Sequence, residues 1–210
     1  MKIINLKHAW EFILDKDVIS SPTNYYVSKY IAKLINEGFY YEGGKIRQMP
    51  VNIGGSTYKP PLPIEHVVRE RINEIINSNI DDIDKAIELT LFIMKTQVFI
   101  DGNKRTAIIF ANHYLISKAK GLLAVPFELV PEFKKLLIAY YEDYDVETIK
   151  VFLRELNCIK FLFTELGHSI TYIGYHHCYI INHFIRIRIL IMIRKLYLVI
   201  LCISKTHHNP

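Results

Sequence analysis

Asp101-Gly-Asn-Lys-Arg105 is the stretch of this sequence best suited to chemistry, because it places one acid, a turn-forming pair and two adjacent cations between two apolar segments. Gly102 permits a backbone turn that a side chain would forbid, and Asn103 tolerates left-handed geometry. The loop leads into the start of a predicted helix, where free N–H groups and the helix dipole favour an anion. With Lys104 and Arg105 beside them, these N–H groups suit a polyphosphate.

The acid of this loop adds a second element to the predicted site. Asp101 suits a Mg²⁺ ion that bridges phosphate oxygens. The alternative is an ordinary interhelical turn whose charges are solvated. An acid, a turn pair and two cations in five consecutive residues favour a site for nucleotide phosphates.

These residues resemble the motif of the Fic family (Fic/Doc, or Fido, domain), which reads His-x-Phe-x-Asp/Glu-Gly-Asn-Gly-Arg-x-x-Arg. The matching positions are Phe99, Asp101, Gly102, Asn103 and Arg105. The family transfers part of a nucleotide, most often AMP from ATP, to a hydroxyl side chain of a target protein. The resemblance implies that Asp101 holds Mg²⁺ and that Phe99 packs into the core and fixes the loop. It also implies that Gly102, Asn103 and Arg105 form the anion hole.

Three positions depart from that motif. Gln97 stands where the family has its catalytic His, Lys104 where it has a second Gly, and Ile108 where it has the final Arg. The death-on-curing (Doc) branch also reads Asn-Lys-Arg-Thr-Ala and transfers a phosphoryl group, so Lys104 leaves that reaction open. Ile108 removes one expected phosphate contact.

The change at the catalytic position bears on the rate. Gln has no pKa near neutral with which to take the proton of the attacking hydroxyl, and loss of a general base typically costs about 10²–10⁴-fold. His66 and His113 are the other residues considered as a base, and both are better explained by surface or packing roles. The sequence therefore predicts a Fic-type protein adenylyltransferase of weak activity that uses ATP and Mg²⁺. The alternatives are a nucleotide-binding or toxin-like pseudoenzyme that docks a partner, and Doc-like phosphoryl transfer.

A small β-hairpin is predicted ahead of the loop. Residues 48–53 and 56–59 have strand-like composition, Gly54-Gly55 is a hairpin turn signal, and Pro60-Pro61 ends the pattern. The resemblance places the family's target-docking flap here, at Val51, Asn52, Ile53, Gly54 and Gly55. An exposed edge would take a segment of the protein substrate by strand addition. The alternative is a passive surface hairpin.

The remaining pattern of residues 1–157 is helical. Apolar spacing and capping residues predict about seven helices. These are 8–19, 24–36 with Thr23 as N-cap, 63–77, 81–96, a helix from the loop to about 118, 131–142 and 145–157. The predicted fold class is all-α, a Fic-type helical domain with one hairpin flap, and residues 81–96 are expected to form the central buried helix.

Charge and cysteine content limit the partners and the compartment. Residues 1–157 hold 20 basic and 20 acidic residues, so a nucleic-acid-binding face on this domain is disfavoured. All three cysteines lie at or beyond Cys158, which fits a reducing compartment. The N-terminus meets Glu11 and Asp15 too early for a signal-peptide core, and we expect a cytoplasmic protein.

The composition changes near residue 158. Residues 158–210 are basic and apolar, with six Lys or Arg and one acid. Four cations within residues 184–203 argue against a membrane-spanning helix, although a peripheral membrane segment is an alternative. We predict a Fic-like domain over residues 1–157, followed by a tail that is not part of the fold. No Ser or Thr is followed four residues later by Glu, so the inhibitory segment found in some family members is not expected, and a separate antitoxin chain remains an alternative partner.

Overall fold

The computed structural model describes residues 1–156, and over this range it is all-helical, as predicted. Eight α-helices are present together with a 3₁₀ turn at Phe127–Leu129. The helices are α1 (Lys2–Ile13), α2 (Lys16–Ser20), α3 (Tyr25–Asn36), α4 (Glu65–Asn77), α5 (Asp82–Thr96), α6 (Asn103–Ser117), α7 (Val130–Tyr141) and α8 (Glu147–Leu156).

The centre of the fold is α6, the helix that the loop opens. Every residue from Arg105 to Leu115 is buried, because α6 packs most extensively against α5 and also against α3 and α1. The prediction gave the central place to α5, which lies beside it and is also largely buried. A helix that is enclosed on all sides holds its N-terminus in a fixed position, and that N-terminus carries the loop.

Side-chain caps explain where several helices begin. The carboxylates of Asp15 and Asp81 and the amide of Asn24 each accept a backbone N–H in the first turn of α2, α5 and α3. The sequence analysis assigned the cap of α3 to Thr23, and that assignment is wrong. Thr23 instead places its hydroxyl 2.9 Å from Nδ1 of His113 in α6.

The N-terminal helix begins earlier than predicted. The segment 8–19 is two helices, α1 and α2, and α1 starts at Lys2. The side chain of Asn5 faces the interior and donates to the carbonyls of Ile35 and Glu37, at 3.2 and 2.7 Å. A buried polar residue in the first turns obscures the apolar periodicity on which the prediction depended.

The predicted hairpin does not form within the described residues. The Ser56 N–H donates to the Ile53 carbonyl at 3.1 Å, so a turn exists at Gly54-Gly55 as expected. The two arms on either side of it do not pair as strands. The β-pairing recorded for residues 1–156 is one isolated antiparallel bridge between Ile46 and Phe99. We keep the name flap for residues 48–59.

The described residues end at 156, one residue before the predicted end of the domain at residue 157. Among residues 1–156, no helix is long and apolar enough to cross a membrane. The predicted tail, residues 158–210, lies outside the described residues.

Candidate functional site

Gly102 turns the chain into α6 through a conformation that few other residues adopt. It is the N-cap of α6, with φ of 74°. A Cβ atom at this position would lie 2.7 Å from Cγ2 of Ile35 on α3. The turn therefore requires glycine both for its backbone angle and for the close approach of α3.

Asn103 holds the loop closed with its side chain. Its Oδ1 accepts the Phe99 N–H at 2.8 Å, and its Nδ2 donates to the Phe99 carbonyl at 2.7 Å. Nδ2 also donates to Oε1 of Gln97 at 3.1 Å. Asn103 itself is helical, so the left-handed geometry considered for it is found at Gly102 and Gln97 instead. Because both protons of Nδ2 are used within the loop, the backbone N–H of Asn103 is the group it can offer to an anion.

Gln97 ends α5 and faces the same loop. Its φ is 50°, a left-handed conformation, and its backbone N–H donates to Ile93 at 3.1 Å. Its side-chain Nε2 donates to the Met94 carbonyl at 2.6 Å, while Oε1 accepts from Asn103. Both ends of the amide are thus held by the protein, and Gln97 acts as a structural brace across the loop.

Arg105 is a nearly buried cation with one acidic neighbour. Its residue surface is 7% exposed, and its Nη2 donates to Oδ2 of Asp101 at 3.2 Å. Burial lowers the pKa of Arg105, and the charge of Asp101 opposes that shift. The backbone carbonyl of Asp101 accepts from Nδ2 of Asn36 at 3.0 Å, which fixes the loop against α3. A buried guanidinium at a helix N-terminus favours an anion beside it.

The first turn of α6 supplies backbone donors. Thr106 donates the first helical hydrogen bond, to the Gly102 carbonyl at 2.8 Å. The N–H groups of Asn103, Lys104 and Arg105 precede that bond and lie at the positive end of the helix. Burial lowers the pKa of Lys104, and the charge of Lys134 lowers it further. An anion near Lys104 would relieve both effects.

The other predicted positions around the motif have structural places. Phe99 is fully buried in the core. Ile108, which lies in α6 four residues after Lys104, is also buried. His113 is fully buried, with Nε2 2.9 Å from the Val18 carbonyl, so it packs α6 against α2. His66 is exposed on the first turn of α4.

The flap is attached at both ends by side chains that sequence analysis did not single out. At its base, Arg47 is 3% exposed and hydrogen-bonds backbone carbonyls of the flap ends and of α5. At its tip, Oε1 of Glu142 accepts from Ser56 Oγ at 3.0 Å, from Thr57 N–H at 2.8 Å and from Thr57 Oγ1 at 3.0 Å. Neither residue belongs to a local motif, so no sequence signal identified it.

The predicted docking residues lie on this attached segment. Ile53 is buried, Val51 is half-buried, and Asn52, Gly54 and Gly55 are exposed. The Arg47 N–H donates to the Val98 carbonyl at 3.0 Å, next to the Ile46–Phe99 bridge. The start of the flap and the motif loop are therefore neighbours, as a docking role would require.

A metal at this site would depend on more than protein ligands. Within residues 1–156, no group of three or more His, Cys, Asp or Glu side chains is placed to hold a metal ion. Asp101 is a single carboxylate, and its side chain is 39% exposed. Mg²⁺ commonly takes one or two carboxylates and completes its shell with phosphate oxygens and water, so Asp101 fits a nucleotide-bound Mg²⁺.

Comparison with known proteins gives a family match and structures of similar fold. Residues 24–115 match the model of the Fic/DOC family. A Fic-1 fragment from C. elegans has a similar fold, with a TM-score of 0.58 and 20% identity over 79% of this chain and 51% of that one. A Fic domain-containing signalling protein from Bacteroides thetaiotaomicron VPI-5482 has a TM-score of 0.55 and 15% identity, over 74% of this chain and 65% of that one.

The chain thus spans about half of the first of these structures and 65% of the second. No curated protein matches its sequence. The matched region contains the flap, the loop and nearly all of α6, so the residues of the candidate site all lie within it. Over residues 24–115, the chain is thus similar to the Fic/DOC family.

Proposed function

We propose that this protein binds Mg-ATP at the Asp101–Arg105 loop and slowly transfers AMP to a hydroxyl group of a partner protein. The observation that carries the proposal is the nearly buried guanidinium of Arg105 beside the open N-terminus of α6. Asp101 is its only acidic partner among the described residues and is itself suited to a metal ion. A triphosphate would supply the negative charge that this arrangement favours.

Each residue has a distinct part in the proposed reaction. Arg105 and the first N–H groups of α6 would hold phosphate oxygens, with Lys104 beside them. Asp101 would hold Mg²⁺, which neutralises charge on the phosphate oxygens when it is bound. In AMP transfer the target oxygen bonds to the α-phosphorus, the bond to pyrophosphate breaks, and the hydroxyl proton must leave.

Gln97 determines how slowly that proton leaves. By the family resemblance it stands at the position of the general base, and its amide cannot accept the proton, which therefore passes to water. We expect a rate lower by about 10²–10⁴-fold than with a base in place. Phosphate positioning and charge stabilisation remain, and they dominate this type of chemistry.

A second candidate function is partner binding without transfer. It is favoured by the two hydrogen bonds that engage both ends of the Gln97 amide within the loop. In this case the nucleotide would order the loop and the flap would dock a partner. A third candidate, Doc-like phosphoryl transfer, is favoured only by Lys104 in the position where that branch also has lysine.

The flap is the proposed docking surface for the protein substrate. It begins beside the motif loop and presents Asn52, Gly54 and Gly55 to solvent. A bound segment that follows it would bring a hydroxyl toward the phosphates. Because the arms do not pair with each other, backbone groups between the Arg47 contact at Met49 and the turn at Gly54-Gly55 can pair with an incoming extended segment.

Labelled nucleotide separates these functions. The full chain is incubated with Mg²⁺, a cell lysate and ATP labelled at either the α- or the γ-phosphate, and Asp101→Ala serves as the control. Label from the α-phosphate that Asp101→Ala abolishes supports AMP transfer, and label from the γ-phosphate alone supports phosphoryl transfer. Calorimetric binding of Mg-ATP without label supports the binding function. Absence of Mg-ATP binding overturns the assignment of the loop.

A Gln97→His variant tests the missing base directly. Histidine tolerates the left-handed conformation of position 97 better than most residues. If transfer of the α-phosphate label appears only in this variant, the natural chain is a binding protein. If the natural chain already transfers label, we expect the variant to raise its rate.

A further inference from the structure

Arg47 is buried among backbone carbonyls from two parts of the site. On the side of α5, its Nε donates to the Gln97 carbonyl at 2.6 Å and its Nη2 to the Thr96 carbonyl at 3.4 Å. On the side of the flap, Nη1 donates to Met49 at 2.9 Å, and Nη2 donates to Pro60 at 3.1 Å and to Pro61 at 2.5 Å. One side chain thus contacts the start of the flap, the two prolines that follow the flap, and the residue at the catalytic position.

The location explains how a buried cation is accommodated without a carboxylate. The hydrogen bonds of its guanidinium described above all go to carbonyl oxygens. Those of Thr96 and Gln97 belong to the C-terminal end of α5, the negative end of the helix dipole. Burial lowers the pKa of Arg47. The guanidinium remains charged even so, because the ordinary pKa of arginine lies far above neutral pH.

We propose that Arg47 is a positioning residue that couples the flap to the phosphate loop. Through the Gln97 carbonyl it fixes the backbone from which the Gln97 side chain reaches Asn103, and Asn103 in turn closes the loop. Through Met49, Pro60 and Pro61 it fixes where the flap begins and ends. This inference deepens the proposed function, since it would set the distance between a docked target and the phosphates.

The geometry requires a planar, forked donor. Arg47 donates to these carbonyls in different directions, from Nε, Nη1 and Nη2. A lysine could not replace it, because an ammonium group offers its three donors from one atom. Arg47→Lys keeps the charge and most of the side-chain length, so it isolates the loss of the fork. Arg47→Met removes the charge as well and keeps the apolar stem.

Hydrogen exchange on the full-length chain tests the coupling without requiring nucleotide. Amide exchange is measured for peptides that cover the flap and for a peptide that covers residues 97–105. The control is Ile13→Ala, which substitutes a fully buried core residue. Ile13 is the last residue of α1 and lies just before α2 in the chain. α2 contacts α6 at His113, about 15 Å along that helix from Asn103. All variants are compared well below their melting temperatures, so exchange reports local opening and not global unfolding.

We expect Arg47→Lys to accelerate exchange about tenfold in both the flap and the loop peptides, with Arg47→Met at least as fast. Ile13→Ala should leave the exchange rate of both peptides at the wild-type value, even if its melting temperature falls as much as that of the Arg47 variants. Faster exchange in the flap with an unchanged loop would overturn the coupling. Unchanged exchange in both peptides would overturn any positioning role, as would equal acceleration by Ile13→Ala.

A parallel measurement keeps this inference distinct from the proposed function. Calorimetric titration with Mg-ATP should give binding about five- to tenfold weaker in Arg47→Lys than in the wild type and unchanged binding in Ile13→Ala. If the wild type does not bind Mg-ATP, the proposed function fails and the exchange experiment still decides the role of Arg47. If the wild type binds and Arg47→Lys binds equally well, the coupling fails and the proposed function stands.

Discussion

The motif loop and the flap are neighbours, but they are held in place by opposite means. In the loop, Asn103 bonds to Phe99 and Gln97, and Arg105 bonds to Asp101, so the partners are four to six residues apart. In the flap the partners are far apart in sequence. Arg47 reaches Gln97 across 50 residues, and Glu142 reaches Thr57 across 85.

This difference separates a structure that is specified locally from one that depends on the completed fold. The loop is closed mainly by its own side chains, and two distant residues, Asn36 and Arg47, hold only its backbone carbonyls at Asp101 and Gln97. A segment held from α5 and α7 takes its shape only after those helices have packed. The phosphate site should therefore keep its geometry when the flap is disturbed at its tip, and local changes within the loop should have the largest effects.

The largest effect is expected from Asn103→Asp. The carboxylate would face the Phe99 carbonyl and Oε1 of Gln97, which now accept from Nδ2. A buried charge whose one described donor is the Phe99 N–H, and which faces two acceptors, should lower the free energy of unfolding by about 3–5 kcal/mol. Chemical denaturation measures the loss.

The matched control for this change is Asn112→Asp on the same helix. The Asn112 amide also bridges buried backbone, to Ile108 and Leu123. Asn112→Asp should lower the free energy of unfolding by a similar amount and leave Mg-ATP binding unchanged. Asn103→Asp, in contrast, should abolish Mg-ATP binding. Equal effects of the two variants on binding would contradict the special place of the loop.

Gly102→Ala should have the next largest effect. The left-handed backbone costs an alanine about 1–2 kcal/mol. The new methyl group would lie 2.7 Å from the side chain of Ile35. With the overlap included, we expect a loss of about 2–4 kcal/mol in the free energy of unfolding. Gly54→Ala on the exposed flap turn is the control, and a loss of equal size there would show that the measurement reflects glycine content alone.

The same contrast explains which parts of the structure could be predicted from sequence. The turn at Gly102, the burial of Phe99 and the bounds of α3 and α5 follow from residues near one another in the chain. The hairpin prediction failed because the flap is held at its base by Arg47 and at its tip by Glu142, and not by strand pairing. The cap of α3 was misplaced by one residue because Thr23 has a distant partner, His113.

Side-chain roles within the site were less predictable than its location. The motif placed Gln97 and Asn103 at the site, but their mutual hydrogen bond depends on the left-handed turn that ends α5. Arg47 gave no signal, because an arginine between Ile46 and Gln48 has the composition of an ordinary surface position. Its burial arises from the packing of the flap onto α5, which no local pattern records.

His113 connects α6 to Thr23 and to the Val18 carbonyl, and its burial should make the free energy of unfolding depend on pH. Burial lowers the pKa of His113. The unfolded state therefore binds a proton more readily, so the free energy of unfolding should fall as the pH is lowered from 7 through about 6.5 and below. The slope should be at most about 1.4 kcal/mol per pH unit.

His113→Gln should flatten this dependence between pH 7 and pH 5, because it removes the titrating group. His8→Gln, at an exposed position of α1, is the control and should leave the slope unchanged. Denaturant titrations at several pH values measure the slopes. Identical slopes in the wild type and His113→Gln would show that another group is responsible.

The smallest global effect is expected from Glu142→Ala, although this change most directly disturbs the flap tip. Glu142 is partly exposed, and the three hydrogen bonds that its carboxylate accepts from Ser56 and Thr57 lower its pKa, with the Thr57 N–H as the largest cause. Removing it should leave the unfolding midpoint nearly unchanged, since surface interactions contribute little to global stability. Exchange of the Thr57 amide should nevertheless become several-fold faster, because that N–H loses its acceptor.

Asp145→Ala is the matched control, because Asp145 is an exposed carboxylate that also accepts from a neighbouring backbone N–H and hydroxyl, both of Thr148, without reaching the flap. It should leave Thr57 exchange at the wild-type rate. Neither variant should change exchange in residues 97–105, since the loop is closed by its own side chains and its contact with the flap lies at the Arg47 end. Faster loop exchange in Glu142→Ala would mean that the tip, and not only the base, of the flap supports the phosphate site.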